Sequence, residues 1–163
     1  TSLEVGWDEF SDLLWQGSST GLFTDVSGVA GFDSLEDHFG LVTGDLDGDG
    51  WLEILTAGPG STPKLHMNRC GSNSWIEFRL VGPPGNSQGY GTQIEVDLGD
   101  RTELRELHNL RATSQGPPRL HFGLGNLQTV PLVRIRWPDG EVTEGHRIGS
   151  RRLVTVTHSG ARR

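Results

Sequence analysis

The stretch that decides the fold runs from Leu132 to Gly140 and reads LVRIRWPDG. Its apolar residues alternate with two arginines, and this period of two places one face of a β-strand in a core and the other in water. The Pro-Asp-Gly that follows suits a type I turn ending in a glycine bulge, which connects neighbouring antiparallel strands. The stretch therefore predicts a strand that ends in a tight turn.

The same alternation returns in three further runs of the second half, at residues 75–81, 93–98 and 152–157. Clusters of Gly, Pro, Asn and Asp separate these runs and mark turns. Gly (24) and Pro (8) together form about a fifth of the 163 residues, which argues against a helical bundle. Regular short strands with such turns predict an all-β chain folded as an antiparallel β-sandwich or barrel.

Charge divides the chain into two parts. Residues 1–68 hold twelve acidic side chains and one basic one, Lys64, for a balance of −11. Residues 69–163 hold nine acidic side chains and thirteen arginines, for a balance of +4. We therefore expect a first unit at residues 1–68 and a β domain at residues 69–163. The acidic bias has three explanations, which are a solvated face, a bound cation or docking on the basic half.

Several function classes are disfavoured by the sequence. The arginines are spaced singly along strand-like runs, so the pattern does not favour nucleic acid. No apolar run approaches the roughly 18 residues of a membrane span. Residues 1–10 are polar and acidic, unlike a signal peptide, although a chain with its signal cleaved would start in the same way. The lone Cys70 excludes an internal disulfide and a Cys-rich zinc site. Weak helical spacing over residues 8–15 suggests one or two helical turns.

The one strong chemical signal is an acidic loop that reads DLDGDGWLE from Asp45 to Glu53. Carboxylates stand at positions 1, 3, 5 and 9, from Asp45, Asp47, Asp49 and Glu53, and Trp51 supplies a carbonyl at position 7. The glycine at position 6 permits the sharp turn that such a loop needs. Ca²⁺ prefers about six to eight oxygen ligands, several of them anionic. The loop therefore predicts a Ca²⁺ site, and the alternative is an acidic turn without an ion.

The flanks of the loop distinguish it from an EF-hand. Position 12 is Thr56, where an EF-hand has a bidentate glutamate, and the segments 39–42 and 52–55 are strand-like, where an EF-hand has helices. We therefore expect a strand–loop–strand site. Mg²⁺ is a poorer fit because its rigid octahedron disfavours an all-protein loop.

At this point the sequence resembles two known families. His38-Phe39-Gly40 followed by the acidic loop resembles an FG-GAP repeat, the calcium-loop blade unit of integrin-type β-propellers. The second half resembles the ASPIC/UnbV domain, which follows FG-GAP repeats in the cartilage acidic protein family. The motifs that carry this second resemblance are NSWI at 73–76, Asn86, GYGT at 89–92, HFGLG at 121–125 and VRIRWPDG at 133–140. A propeller has about four to eight blades, so the one loop is either the end of a longer propeller or a single repeat fused to the domain.

The resemblance implies a calcium-binding interaction or adhesion module that is secreted, periplasmic or at the cell surface, with a protein or glycan partner and no established catalytic activity. One alternative is a subunit of a surface filament or another self-assembly, and another is a lectin-like glycan-binding module. A third is an enzyme in which His108, with Glu106 and Glu103, meets His121 in a pocket. The structural alternative for His121 is a packed or hydrogen-bonded side chain. Cys70 is a reactive thiol, an intermolecular link or an incidental residue.

Overall fold

A computed structural model of the chain describes residues 12–18, 20–33, 35–36, 38–68, 71–108 and 114–161. Within these ranges the chain is nearly all β, which confirms the predicted class. The elements in chain order are β1 (Trp15–Gly17), β2 (Phe23–Asp25), α1 (Ser27–Ala30), β3 (Gly40–Gly44), β4 (Glu53–Ala57), β5 (Lys64–His66), β6 (Ser74–Val81), β7 (Gln93–Asp97), β8 (Thr102–Glu106), β9 (Arg119–Gly125), β10 (Thr129–Arg136), β11 (Val142–Gly149) and β12 (Arg152–Thr157). Cys70 lies outside the described residues.

Two sheets of the second half pack face to face as a sandwich. One sheet has the strand order β11-β10-β7-β8 and the other β12-β6-β9. The apolar side chains of the alternating runs point between the sheets and form one buried cluster. Its members are Ile76, Phe78, Leu80, Ile94, Val96, Leu107, Leu120, Phe122, Leu124, Val130, Val133, Ile135 and Trp137. Each fully buried side chain of this kind stabilises the fold by roughly 1.5–3 kcal/mol, so this cluster holds the sandwich together.

One strand pair of the sandwich departs from the expected antiparallel arrangement. β12 runs parallel to β6, with Arg152 opposite Ile76 and Thr157 opposite Val81. Parallel neighbours need a long crossover connection, and residues 82–151, which include four strands of the opposite sheet, provide it. The predicted tight turn is present between β10 and β11, where the Gly140 N–H donates to the Trp137 carbonyl at 2.9 Å and Gly140 has φ +93°.

The first unit is a three-stranded antiparallel sheet, β3-β4-β5, beside the short hairpin β1-β2. Of fifteen exposed large apolar side chains in the described residues, twelve lie between residues 13 and 67. Phe32 is the one buried large apolar side chain of this unit among the described residues, and it packs against the His66 ring at 4.5 Å. This unit therefore has little core of its own, and polar contacts and docking contribute more to its stability.

The helical expectation for residues 8–15 is wrong in its described part. Residues 12–14 form no helix, and Trp15 begins β1, while residues 8–11 lie outside the described residues. The helical spacing failed here because Trp15 pairs with Asp25 on the neighbouring strand, and Asp25 lies outside the stretch 8–15 on which the prediction was based. Among the residues that the structure describes, no helix is long and apolar enough to cross a membrane.

Candidate metal centre and the adjoining cleft

The acidic loop connects β3 to β4 and gathers three carboxylates. Asp45, Asp47 and Asp49 each place one carboxylate oxygen within 4.8 Å of the others. The Gly48 and Gly50 N–H groups donate to the two oxygens of Asp45, at 2.8 and 3.1 Å. These bonds curl the chain around the first aspartate, and so the three carboxylates come together although the loop is exposed.

The next two aspartates fix the backbone in the same way. Asp47 Oδ1 accepts the Asp49 N–H at 3.3 Å, and Asp49 Oδ1 accepts the Trp51 N–H at 2.8 Å. Each of these bonds uses one oxygen of the carboxylate. Gly48 (φ +81°) and Gly50 (φ +90°) hold the left-handed conformation that the curled loop requires.

Glu53, the predicted fourth carboxylate, begins β4 and is not part of the three-aspartate cluster. Its side chain is 1% exposed, and Oε2 accepts the Leu46 N–H from inside the loop at 2.8 Å. Its Oε1 is buried and has no hydrogen-bond partner. A buried oxygen without a partner costs free energy, so Glu53 Oε1 is available as a ligand although it lies outside the cluster of three aspartates. The donor set therefore fits a hard cation such as Ca²⁺.

The tip of the loop rests on the outer face of the β12-β6-β9 sheet. The His121 Nε2–H donates to the Gly50 carbonyl at 2.9 Å, and His121 stacks on the Trp75 ring with centroids 5.8 Å apart. Gly50 lies so close to Trp75 that a Cβ there would fall 1.7 Å from the indole Nε1. His121 is thus packed and hydrogen-bonded, as we expected for a structural histidine. Sequence reasoning missed the contact with Gly50 because 71 residues separate the two positions.

His38, which opens the His-Phe-Gly motif, fixes the chain before β3. Its Nδ1–H donates to Asp12 Oδ2 at 2.6 Å, and its Nε2 lies 3.3 Å from the Thr62 carbonyl. The hydrogen bond to Asp12 is the main reason that the pKa of His38 is raised above its ordinary value. The motif therefore ties three separate segments of the first unit together.

A cleft of about 280 Å³ lies between the loop side of the first unit and the sandwich. Thr43, Gly44 and Leu52 line it from the first unit. Six ionisable side chains line it from the sandwich, namely Glu77, Arg105, Glu106, His108, Arg119 and His121. The two histidines of the enzyme alternative, His108 and His121, therefore face one concave space. Glu103 is not among the residues that line it and pairs with Arg101 at 3.1 Å.

The chain was also compared with known proteins. The model of a family described as ASPIC and UnbV matches residues 82–163, which is just over half of the 163 residues. No curated protein matches the chain. The matched segment begins after β6 and spans β7 to β12, so it accounts for one whole sheet of the sandwich and two strands of the other. By this match the chain belongs to the ASPIC and UnbV family.

Proposed function

We propose that this chain is a calcium-braced, non-catalytic interaction module of an extracellular or surface protein. Domains of the ASPIC/UnbV family occur in extracellular or surface proteins, and extracellular calcium-binding modules typically bind the ion with dissociation constants of about 10⁻⁴–10⁻³ M. In this proposal the ion is structural. It serves to order the first unit, which buries little apolar surface by itself.

The observation that carries the proposal is the combination of clustered and orphaned oxygens in one loop. Asp45, Asp47 and Asp49 converge within 4.8 Å, and Glu53, whose Oε2 accepts the Leu46 N–H of the same loop, has a buried Oε1 without a partner. Three close carboxylates repel one another in the absence of a cation. The ion would supply positive charge, and these four side chains with the Trp51 carbonyl would hold it.

The same segment supports assignment of residues 38–55 as an FG-GAP-like repeat. The loop lies between two antiparallel strands, with Gly44 opposite Glu53 at its base. This strand–loop–strand arrangement is the one that the resemblance implies. In the proposal, ordering of the loop also presents Gly50 to Trp75 and His121, so the ion braces the contact between the two units.

The partner of this module is proposed to be a protein. The first unit exposes many large apolar side chains, among them Leu22 (71%), Phe23 (68%) and Phe39 (66%). Concentrated apolar and aromatic exposure is typical of protein-binding surfaces. The −11 balance of residues 1–68 favours a basic partner surface.

Thermal unfolding with and without calcium tests the proposal. At a hundredfold excess of Ca²⁺ over its dissociation constant, binding to the folded state adds about 2.7 kcal/mol to the free energy of unfolding. We expect a higher melting temperature in calcium than in EDTA for the wild type and for Asp100→Asn, an exposed acid outside the loop. Asp47→Asn should lose most of this difference. Identical melting of the wild type in both buffers, with no metal by elemental analysis, contradicts the proposal.

A further inference from the structure

The cleft between the two units contains none of the loop carboxylates. Its volume of about 280 Å³ is close to the lower end of the roughly 300–1,000 Å³ of small-ligand pockets. Two residues of the sandwich core, Leu107 and Leu120, form part of its lining. The cleft therefore has the size of one small molecule or of one residue of a polymer, and it has a rigid base.

The two arginines of the cleft carry more N–H donors than the neighbouring side chains accept. Arg105 lies with its guanidinium 5.0 Å from the centre of the Phe122 ring, and its nearest carboxylate oxygen, on Glu103, is 3.7 Å away. The Arg119 Nη1–H donates to Glu77 Oε2 at 3.1 Å. A guanidinium carries five N–H donors, so both arginines keep most of their donors for a ligand. Paired donors of this kind match a carboxylate.

The cleft also carries acceptors. Glu77 is 5% exposed and borders the space, and Glu106 also lines it, with its carboxylate 3.5 Å from His108 Nδ1. Carboxylates in a cleft favour hydroxyl donors and repel a second anion. A ligand that uses both sets must present an anionic group toward the arginines and hydroxyl groups toward the glutamates.

We propose that this cleft binds a polyhydroxylated carboxylate, in the form of a uronic-acid residue of a glycan. Such a residue carries one carboxylate and several hydroxyl groups on a ring of a size that suits the cleft. An acidic peptide matches the arginines but brings no hydroxyl groups for Glu77 and Glu106, so the donor and acceptor pattern favours the sugar acid. The inference goes beyond the proposed function: the six ionisable residues of the cleft lie on the sandwich and outside the loop, while Thr43, Gly44 and Leu52 of the first unit form the facing side.

Titration of the ¹⁵N-labelled chain with galacturonate, followed by amide chemical shifts, tests this site. We expect saturable shifts at Arg105, Arg119 and His121, and binding about tenfold weaker for galactose, which lacks the charge-assisted contact. Succinate, which has carboxylates but no hydroxyl groups, should also bind about tenfold more weakly. Arg105→Gln should weaken galacturonate binding about tenfold, while Arg101→Gln, whose side chain pairs outside the cleft, should leave it unchanged.

Several results overturn the inference. These are no saturable shift with galacturonate, equal binding of succinate, tighter binding of an acidic hexapeptide, or an unchanged affinity in Arg105→Gln. If Arg105→Gln does not fold, as its spectrum would show, Arg119→Lys takes its place, since lysine keeps a positive charge for Glu77 but lacks the paired donors, and the expected loss is about threefold. The titration is made in calcium and the melting temperature is compared in calcium and in EDTA, because saturable galacturonate binding by a chain that melts identically in both buffers would refute only the calcium proposal.

Discussion

At the scale of single residues, Gly50 connects the acidic loop to the sandwich. Its carbonyl accepts the His121 Nε2–H at 2.9 Å, and its missing side chain makes room for the Trp75 ring. Gly48 has a similar φ, +81° against +90°, but no atom lies within 4 Å of where its Cβ would be. Alanine at Gly48 therefore measures the cost of the left-handed backbone alone, whereas alanine at Gly50 also measures the clash with Trp75.

We predict that Gly50→Ala destabilises the chain more than Gly48→Ala does. Both variants place alanine in the left-handed region at about 1–2 kcal/mol, and Gly50→Ala adds overpacking against Trp75 of about 1–3 kcal/mol. Urea unfolding measures the difference, and tryptophan fluorescence should report a changed Trp75 environment in Gly50→Ala alone. Equal losses of stability in the two variants would refute the contact between loop and sandwich.

His38 gives a second prediction at this scale, because its pKa is raised chiefly by the hydrogen bond to Asp12. The folded chain then holds a proton more tightly than the unfolded chain, whose His38 titrates near 6.5. The stability that His38 contributes is therefore full below pH 6.5 and is lost as the pH rises through the raised value. Urea midpoints from pH 5.5 to 9 should fall more steeply in the wild type than in His38→Gln, and equal slopes would contradict the prediction.

At the scale of elements, alternation predicted four of the seven strands of the sandwich. β6, β7, β10 and β12 fall on the predicted runs. β8 and β11 gave no such signal because exposed apolar residues such as Leu104 and Val142 blur their alternation. The parallel pairing of β12 with β6 was also missed, since local sequence carries no information on partners that are 76 residues apart.

β6 gives a prediction because the family match begins after it, at Gly82. β6 is the central strand of its sheet and contributes Ile76, Phe78 and Leu80 to the core. Burial of these three side chains is worth roughly 5–9 kcal/mol, which is similar to the whole stability of many domains. A chain truncated before Ser72 should therefore unfold cooperatively on heating, as followed by circular dichroism, whereas one truncated before Gly82 should not. Cooperative unfolding of the shorter chain would contradict the conclusion that the domain needs β6 to fold.

At the scale of the whole molecule, a compact sandwich supports a first unit with little core. The sequence predicted that Asp45, Asp47 and Asp49 gather in one loop, because neighbouring aspartates accept hydrogen bonds from their own backbone. It offered a pocket of His108, Glu106 and His121 only as one alternative, and it did not predict that Glu77, Arg105 and Arg119 line the same cleft. Such a site depends on strand order and on how the first unit docks, and neither can be read from local spacing.

The most direct test of the central claim is calorimetric titration of the EDTA-stripped and dialysed chain with Ca²⁺. We predict one ion per chain, with a dissociation constant of about 10⁻⁴–10⁻³ M. Asp45→Asn and Asp49→Asn should each weaken binding at least about tenfold, whereas Asp97→Asn, outside the loop, should bind as the wild type does. No saturable heat from the folded wild type, or equal binding by the wild type and Asp49→Asn, would contradict the account.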